Sequence, residues 1–257
     1  MPADVKILLK GYTNADSVNE IGEERTRATT TLVRDGDVVM VVDPGVLESQ
    51  KILVDALAKE NLTAEDVNFV CITHSHIDHY RNVGMFPYAK VLEYFGLWEG
   101  NTVKEWQKNF SENIQIIKTP GHDYTDITLF VTTREGVVAI CGDVFWKENS
   151  PETPEEDQYA SDYEKLKESR EMVLEMSDWV IPGHGDIYKS KKVEVYEPEG
   201  GAVEAEEQLK SVVKCRKCGK VMERVDRCEC RKWLCHHCCE CGEDCDLCGC
   251  SHKKVLP

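Results

Sequence analysis

No stretch of this 257-residue chain approaches the ~18 consecutive apolar residues needed to span a bilayer, so no membrane helix and no membrane partner are expected. The opening residues, Met1-Pro2-Ala3-Asp4-Val5-Lys6, carry neither a basic cluster nor an apolar core of the secretory kind. A cytoplasmic protein is the resulting expectation. Positive charge is scarce too: 31 Lys and Arg stand against 47 Asp and Glu, a net charge of −16. From residue 210 onward there are eleven Lys and Arg against seven Asp and Glu, a local +4, which leaves −20 on residues 1–209. A region that acidic does not attract a polyanion by its own surface. Cysteine is nearly absent before residue 215, where only Cys71 and Cys141 occur. Cys141, inside a strand-like run, reads as core.

What is present is concentrated in a few places. Residues 74–79 read His-Ser-His-Ile-Asp-His, directly after the apolar run Asn68-Phe69-Val70-Cys71-Ile72-Thr73. Packed in an apolar core, each of these side chains would be an unsatisfied polar group or a buried charge. A loop at the end of a buried strand, wrapped around a metal pair, satisfies all four: His74 and His76 toward one ion, Asp78 and His79 toward another. Further ligand types close the set, with His122 in Thr119-Pro120-Gly121-His122, Asp143 in Cys141-Gly142-Asp143 and His184 in Ile181-Pro182-Gly183-His184-Gly185. Each follows a short strand-like run. Gly121 and Gly183 are expected to let the backbone approach a metal without a Cβ clash.

This set, in this order, resembles the metallo-β-lactamase superfamily. The resemblance rests on Asp43 in Val41-Val42-Asp43-Pro44-Gly45, on His74, His76, Asp78 and His79, and on His122, Asp143 and His184, and it covers residues 1 to about 190. It implies an αβ/βα four-layer sandwich, where periodicity alone gives α/β. It implies that His74, His76 and His122 hold a first metal, that Asp78, His79 and His184 hold a second, that Asp143 bridges and that Asp43 orients ligands. Asp78, His79 and Asp143 are the residues it assigns to catalysis. Imidazoles suit zinc, and the carboxylates also admit iron or manganese. Two close divalent cations bring a shared water toward ionisation at neutral pH, so the expected reaction is attack of a metal-bridging hydroxide on an ester, thioester or lactam carbonyl of a small molecule. The alternatives are a metal-dependent phosphodiesterase or endoribonuclease, and a non-catalytic metal-bound scaffold. The family pattern has two informative departures. His76 stands where oxygen-reducing di-iron relatives have Glu, and Asp143 stands where the best-known zinc β-lactamases have Cys.

Pattern gives the organisation. Residues 4–10 read as a first strand, and Ala28–Arg34 and Val38–Val42 flank the hairpin signal Asp35-Gly36-Asp37. Ile52, Leu53, Ala56 and Leu57 fall at helical spacing within 48–60. Strands are expected at 69–73, 114–118, 127–132, 137–140 and 179–181, a helix at 163–176, and an acidic, partly helical insert over 147–176. Phe95, Trp98, Trp106, Phe110, Phe145 and Trp146 are candidates for a pocket lining or for core. The expected division is a metallohydrolase domain over 1–193, an acidic linker over 194–210 and a Cys-rich zinc-binding module over 211–257.

Eleven of the 13 cysteines lie between Cys215 and Cys250. Cys215 and Cys218, separated by sixteen residues from Cys235 and Cys238, match a four-cysteine zinc ribbon. Cys228, Cys230, Cys245 and Cys248 would form a second, interleaved site. So few large apolar side chains cannot stabilise a fold by burial, and two structural zinc ions would supply what burial does not. The basic residues around Trp233 fit an RNA partner, with the indole stacking on a base, or a protein partner. Elemental analysis tests the division: about four metals per full-length chain and about two in residues 1–207 are expected. Equal content in both would remove the tail from the metal-binding part of the chain.

Overall fold

The central strands are apolar at nearly every position because both of their faces are covered. Alternate residues of a strand point to opposite faces, and a sheet buried on both sides reads as a continuous apolar run. Val33, Met40, Val42, Cys71 and Leu92 enter one buried cluster, while Leu32, Val41 and Val70 enter another on the reverse side. The same parity splits Leu129, Val138, Ile140 and Ile181 from Phe130, Ala139 and Val180.

The computed structural model describes residues 1–15, 22–148 and 150–191, with the backbone of two strands beyond them. In chain order the elements are β1 (Asp4–Leu9), β2 (Tyr12–Thr13), β3 (Thr26–Arg27), β4 (Thr30–Asp35), β5 (Val38–Val42), α1 (Lys51–Lys59), β6 (Phe69–Cys71), α2 (Ile77–Tyr80), β7 (Lys90–Glu93), β8 (Gly96–Glu99), β9 (Thr102–Lys104), β10 (Ile114–Lys118), β11 (Ile127–Thr133), β12 (Gly136–Ile140), α3 (Tyr163–Met176), β13 (Trp179–Ile181), β14 (Tyr188–Lys189), β15 (Val225–Arg227) and β16 (Trp233–Cys235). The chain divides into two compact units, Met1–Glu194 and Val195–Pro257. In the second, β15 and β16 pair antiparallel.

The first unit holds a seven-stranded sheet, ordered β1-β4-β5-β6-β7-β8-β9, and a five-stranded sheet, β10-β11-β12-β13-β14. Both are mixed, parallel at β5–β6, β6–β7 and β12–β13. One apolar cluster joins Val33, Met40 and Leu92 of the first sheet to Ile116, Leu129 and Ile140 of the second, so the sheets pack face to face. Leu53 and Leu57 of α1 cover the outer face of the first sheet, and Leu166 and Val173 of α3 cover that of the second. The order of layers is helix, sheet, sheet, helix, an α/β sandwich of the expected four-layer type. No described helix is long and apolar enough to cross a membrane.

The strands expected at 114–118 and 179–181 and the helix at 163–176 stand as read, and α1 is shorter than 48–60. The strand expected over 69–73 ends at Cys71, because Thr73 turns its N–H onto the Asp43 carboxylate at 2.8 Å. Strands β7, β8 and β9 had no clear sequence signal. All three are short and end in a charged residue, and their pairing sets Val91 against Trp98 and Trp98 against Val103.

One buried carboxylate ties the two sheets together. Asp35, at the end of β4, accepts from Ser111 Oγ at 2.5 Å, from Asn113 N at 3.1 Å and from Asn113 Nδ2 at 2.7 Å, just ahead of β10. Burial by itself would raise its pKa, and these hydrogen bonds outweigh burial and hold it below the ordinary 3.8. The carboxylate therefore adds stability above pH ~4, and the contribution is lost as pH falls through the lowered folded value. Asp35→Ala leaves its donors unpaired and is expected to destabilise by about 1–3 kcal/mol at pH 7. In urea unfolding, the gap to the parent protein should narrow toward pH 3; a gap independent of pH would contradict the ionised pairing.

Candidate metal centre

The seven expected ligand residues are delivered by turns that follow four strands. After β6 the chain passes through His74 and His76 and enters α2, which carries Asp78 and His79. His122 follows β10, Asp143 sits in a 3-10 turn (Gly142–Val144) after β12, and His184 follows β13. One ligand atom from each of His74, His76, His122 and Asp143 lies within 4.8 Å of the others, and the same holds for Asp78, His79 and His184. Asp143 also reaches the second group. Its Oδ2 is 3.1 Å from His184 Nε2 and 3.5 Å from His122 Nε2, and its Oδ1 is 3.3 Å from His79 Nε2. Asp78 Oδ2 is 3.7 Å from His184 Nε2. His76 Nδ1 and His122 Nε2 are 3.1 Å apart. Two nitrogens on one tetrahedral zinc, with bonds of about 2.0–2.1 Å, stand about 3.3 Å apart, so this spacing suits a shared cation.

The outward nitrogens explain why the rings face inward. His79 Nδ1 pairs with Asp43 Oδ2 at 2.8 Å, and His122 Nδ1 pairs with Asp157 Oδ2 at 2.7 Å. His74 Nδ1 lies 3.1 Å from Thr73 Oγ1, which itself donates to Asp43, and His184 Nδ1 lies 3.0 Å from the Arg27 carbonyl. An imidazole that donates through Nδ1 presents a lone pair at Nε2, the form a metal takes. Four Nε2 atoms are thereby aimed at one another, with Nδ1 of His76.

The profile of the metallo-β-lactamase superfamily matches residues 25–99. Metallo-beta-lactamase domain-containing protein 1 of Xenopus laevis is 29% identical over 199 residues, which is 73% of this chain and 82% of that protein. A probable metallo-hydrolase of Methanocaldococcus jannaschii is 30% identical over 157 residues, 59% of this chain and 74% of that protein. The chain belongs to the metallo-β-lactamase superfamily. The fold agrees: the crystal structure of a metallo-beta-lactamase candidate from Thermotoga maritima superposes with a TM-score of 0.59 at 21% identity, over 74% of this chain and 100% of that one. As a member of this superfamily the chain is a hydrolase of that fold, with a candidate metal-binding cluster of histidines and aspartates.

The residues of this superfamily member fit such ions. His74 Nε2, His79 Nε2 and Asp143 Oδ1 are buried without a hydrogen-bond partner. Each such atom is a penalty of about 1–3 kcal/mol unless something satisfies it, and they fall in the two ligand groups, His74 and Asp143 in one and His79 in the other. A divalent cation in each group would give them partners.

Two glycine expectations change. A side chain at Gly183 would run into the Asp143 carboxylate, so this residue makes room for a ligand rather than for a metal. A Cβ at Gly121 (φ +148) would strike the backbone of Leu166, so it admits the first turn of α3. Of the aromatic candidates, Trp146 lines the cavity at the cluster, while Trp106 and Phe110 pack on the core between the sheets and Phe145 on the α3 side. Phe95 is 65% exposed and Trp98 38%.

The cavity has a volume of about 350 Å³ and is walled by His76, Asp78, His122, Asp143 and His184 together with Thr13, Glu24, Thr26, Ile77, Trp146 and Tyr159. Asp157, Thr26, Glu24 and Tyr159 escaped the sequence reading. Thr26 Oγ1 donates to Asp78 Oδ2 at 2.9 Å, and the Tyr159 hydroxyl donates to Glu24. That bond holds the Tyr159 phenol up to about 12. The capping box of the turn Thr153-Pro154-Glu155-Glu156, directly ahead of Asp157, is the local sequence signal that could have marked order there. The side chains of Cys215, Cys218, Cys228, Cys230, Cys235, Cys238, Cys245 and Cys248, and the linker 194–210, lie outside the described residues.

The protein's own charges set how a cation would compete with protons. Burial pushes His74 well below 6.5. Burial also acts to lower His122, but Asp157 and Asp143 outweigh it and raise this imidazole from 6.5 to about 9. In the metal-free protein the proton on His122 adds stability that is complete below pH 6.5 and lost as pH rises through about 9. A metal must displace that proton. Zinc affinity, measured by chelator competition and corrected for the chelator's own protonation, is therefore expected to rise over this interval, with Asp157→Asn flattening the rise. A flat profile in the parent protein would contradict the His122–Asp157 pairing as the source.

Proposed function

We propose that this superfamily member is a dinuclear metal-dependent hydrolase acting on an ester, thioester or lactam carbonyl of a small molecule. The observation that supports this most is the pair of ligand groups sharing Asp143, with three inward buried atoms left unpartnered by the polypeptide. In this reading His74, His76 and His122 hold one metal, Asp78, His79 and His184 hold the other, and Asp143 serves both. Zinc suits this donor set best, and iron or manganese fit the same ligands. Bound there, the metals supply a water acidified toward neutrality and a Lewis acid for the developing oxyanion. The chain supplies the rest. Asp43 and Asp157 fix the tautomer and tilt of His79 and His122, and Thr26 fixes one oxygen of Asp78. The cavity beside them brings a carbonyl up to the cluster, and no further protein nucleophile is required.

A carbonyl substrate is favoured over a phosphodiester because no lysine or arginine is among the described residues lining the cavity. A nucleic-acid strand would find no counter-charge in that wall.

His76→Ala and Asp143→Ala are each expected to reduce turnover of a generic thioester by at least about 10³-fold, a loss typical of removing a main electrostatic element. Chelation should remove the activity of the parent protein, and zinc should restore it. Full activity in either variant would sink the assignment. Retained hydrolysis of a phosphodiester, with none of thioesters or lactams, would select the nuclease alternative.

A further inference from the structure

Besides the ligand cluster, the cavity wall holds one carboxylate that the hydrolase reading leaves unused. Glu24 lines the cavity, its hydrogen-bond partner is the neutral hydroxyl of Tyr159, and no cation pairs with it among the described residues. The two arginines that flank Thr26 face elsewhere, as alternation along a strand requires. Arg25 lies 3.8 Å from Glu23, and Arg27 donates to the Lys10 carbonyl at 2.9 Å and covers the Tyr12 ring at 5.0 Å. Residues 16–21, between the cavity residue Ala15 and Gly22, add Asp16 and Glu20 and no cation to the sequence. Asp78 and Asp143 belong to the ligand groups, where bound metal would absorb their charge.

Aromatic rings stand beside the carboxylate. Tyr159, 45% exposed, lies 6.0 Å from Trp146 and 6.5 Å from His76, centroid to centroid. A carboxylate with an accessible aromatic face next to it attracts an alkylammonium group through charge and through the ring quadrupole. It repels a carboxylate or phosphate. The volume of about 350 Å³ lies at the small end of the range for ligand pockets, so a group bound at Glu24 is close to a carbonyl at the cluster.

We propose that Glu24, set beside Tyr159 in the wall of the metal-site cavity, selects substrates that carry an ammonium group a few bonds from the scissile carbonyl. This rests on the hydrolase reading and narrows it to cationic esters and thioesters.

The test uses full-length, zinc-loaded protein and three acetyl thioesters of equal length: acetylthiocholine, its uncharged tert-butyl isostere and a mercaptocarboxylate analogue. The expected order of kcat/KM is cationic, neutral, anionic, with at least about a fivefold step from neutral to cationic, the size of a single partly screened charge pair. Glu24→Gln should bring the cationic-to-neutral ratio to within about twofold of one, and Glu24→Lys should invert it. A parent ratio near one, or a ratio unchanged in Glu24→Gln, would overturn the proposal. Because Glu24 is exposed, neither substitution disturbs the core. Saturation-transfer NMR with choline and its tert-butyl isostere gives a readout without turnover. If neither these thioesters nor a generic ester or lactam is hydrolysed, the carbonyl-hydrolase reading fails. A choline preference that disappears in Glu24→Gln then still upholds the ammonium site, and its absence rejects it.

Discussion

Five imidazoles and two carboxylates cannot be buried together unless each outward edge is held and each inward edge is satisfied. That constraint organises the first unit. His74 and His79 are almost wholly buried, and so is Asp143. Water cannot solvate them, so their polar atoms must find partners in the fold or in an ion. The outer edges are met by Asp43, Asp157, Thr73 and the Arg27 carbonyl. These partners come from the ends of β5 and β6 in the first sheet, from β3 and from the insert ahead of α3. The geometry of the cluster is thus only as good as the packing behind it. Asp43 shows the expense of this: it sits at φ 49, an uncommon conformation for a residue with a side chain. In return its two oxygens hold Thr73 N, Thr73 Oγ1 and His79 Nδ1 at once.

The sandwich supplies what a single sheet could not. Ligands after β6 arise from one sheet, and those after β10, β12 and β13 arise from the other. Interdigitated apolar side chains between the sheets fix their separation, and packing at crystalline density leaves little freedom for one edge to drift from the other. Close approach at the rim needs small residues at two points. Gly183 leaves the volume that the Asp143 carboxylate fills, and Gly121 lets α3 begin against the turn that carries His122.

The legibility of this arrangement in the sequence follows from how local each part is. His74, His76, Asp78 and His79 stand almost side by side, and ligand side chains so dense are hard to accommodate except around metal. His122, Asp143 and His184 each follow an apolar run that reads as a strand. Strands β10 and β13 and the helix α3 are equally legible, since β10 buries Ile114 and Ile116 on one face, β13 is apolar throughout and one stripe of the helix is apolar. Asp157 was not legible. Its role depends on a contact with His122 across 35 residues, and in sequence it is one acid among many in an acidic insert. Thr26 and Glu24 are hidden for the same reason: a two-residue strand has no period to read. Gly121 and Gly183 were recognisable as close approaches, but what approaches them is a matter of tertiary structure.

Net charge illustrates the limit of composition from the other side. The −20 on residues 1–209 argues against a polyanion at long range, where screening leaves only the summed field. It does not decide the cavity, because two divalent cations at its floor would reverse the local sign. What decides the cavity is which charges stand in the wall without being metal ligands. Arg25 and Arg27 flank a lining residue and lie outside the lining, while Glu24 lies in it with a neutral partner. A one-residue shift in register would exchange them, turning an acidic wall into a basic one without altering composition at all. The pairing of Tyr12 with Arg27 and of Thr13 with Thr26 fixes that register. The smallest ribbon in the molecule thus sets the sign of the surface that a substrate would meet.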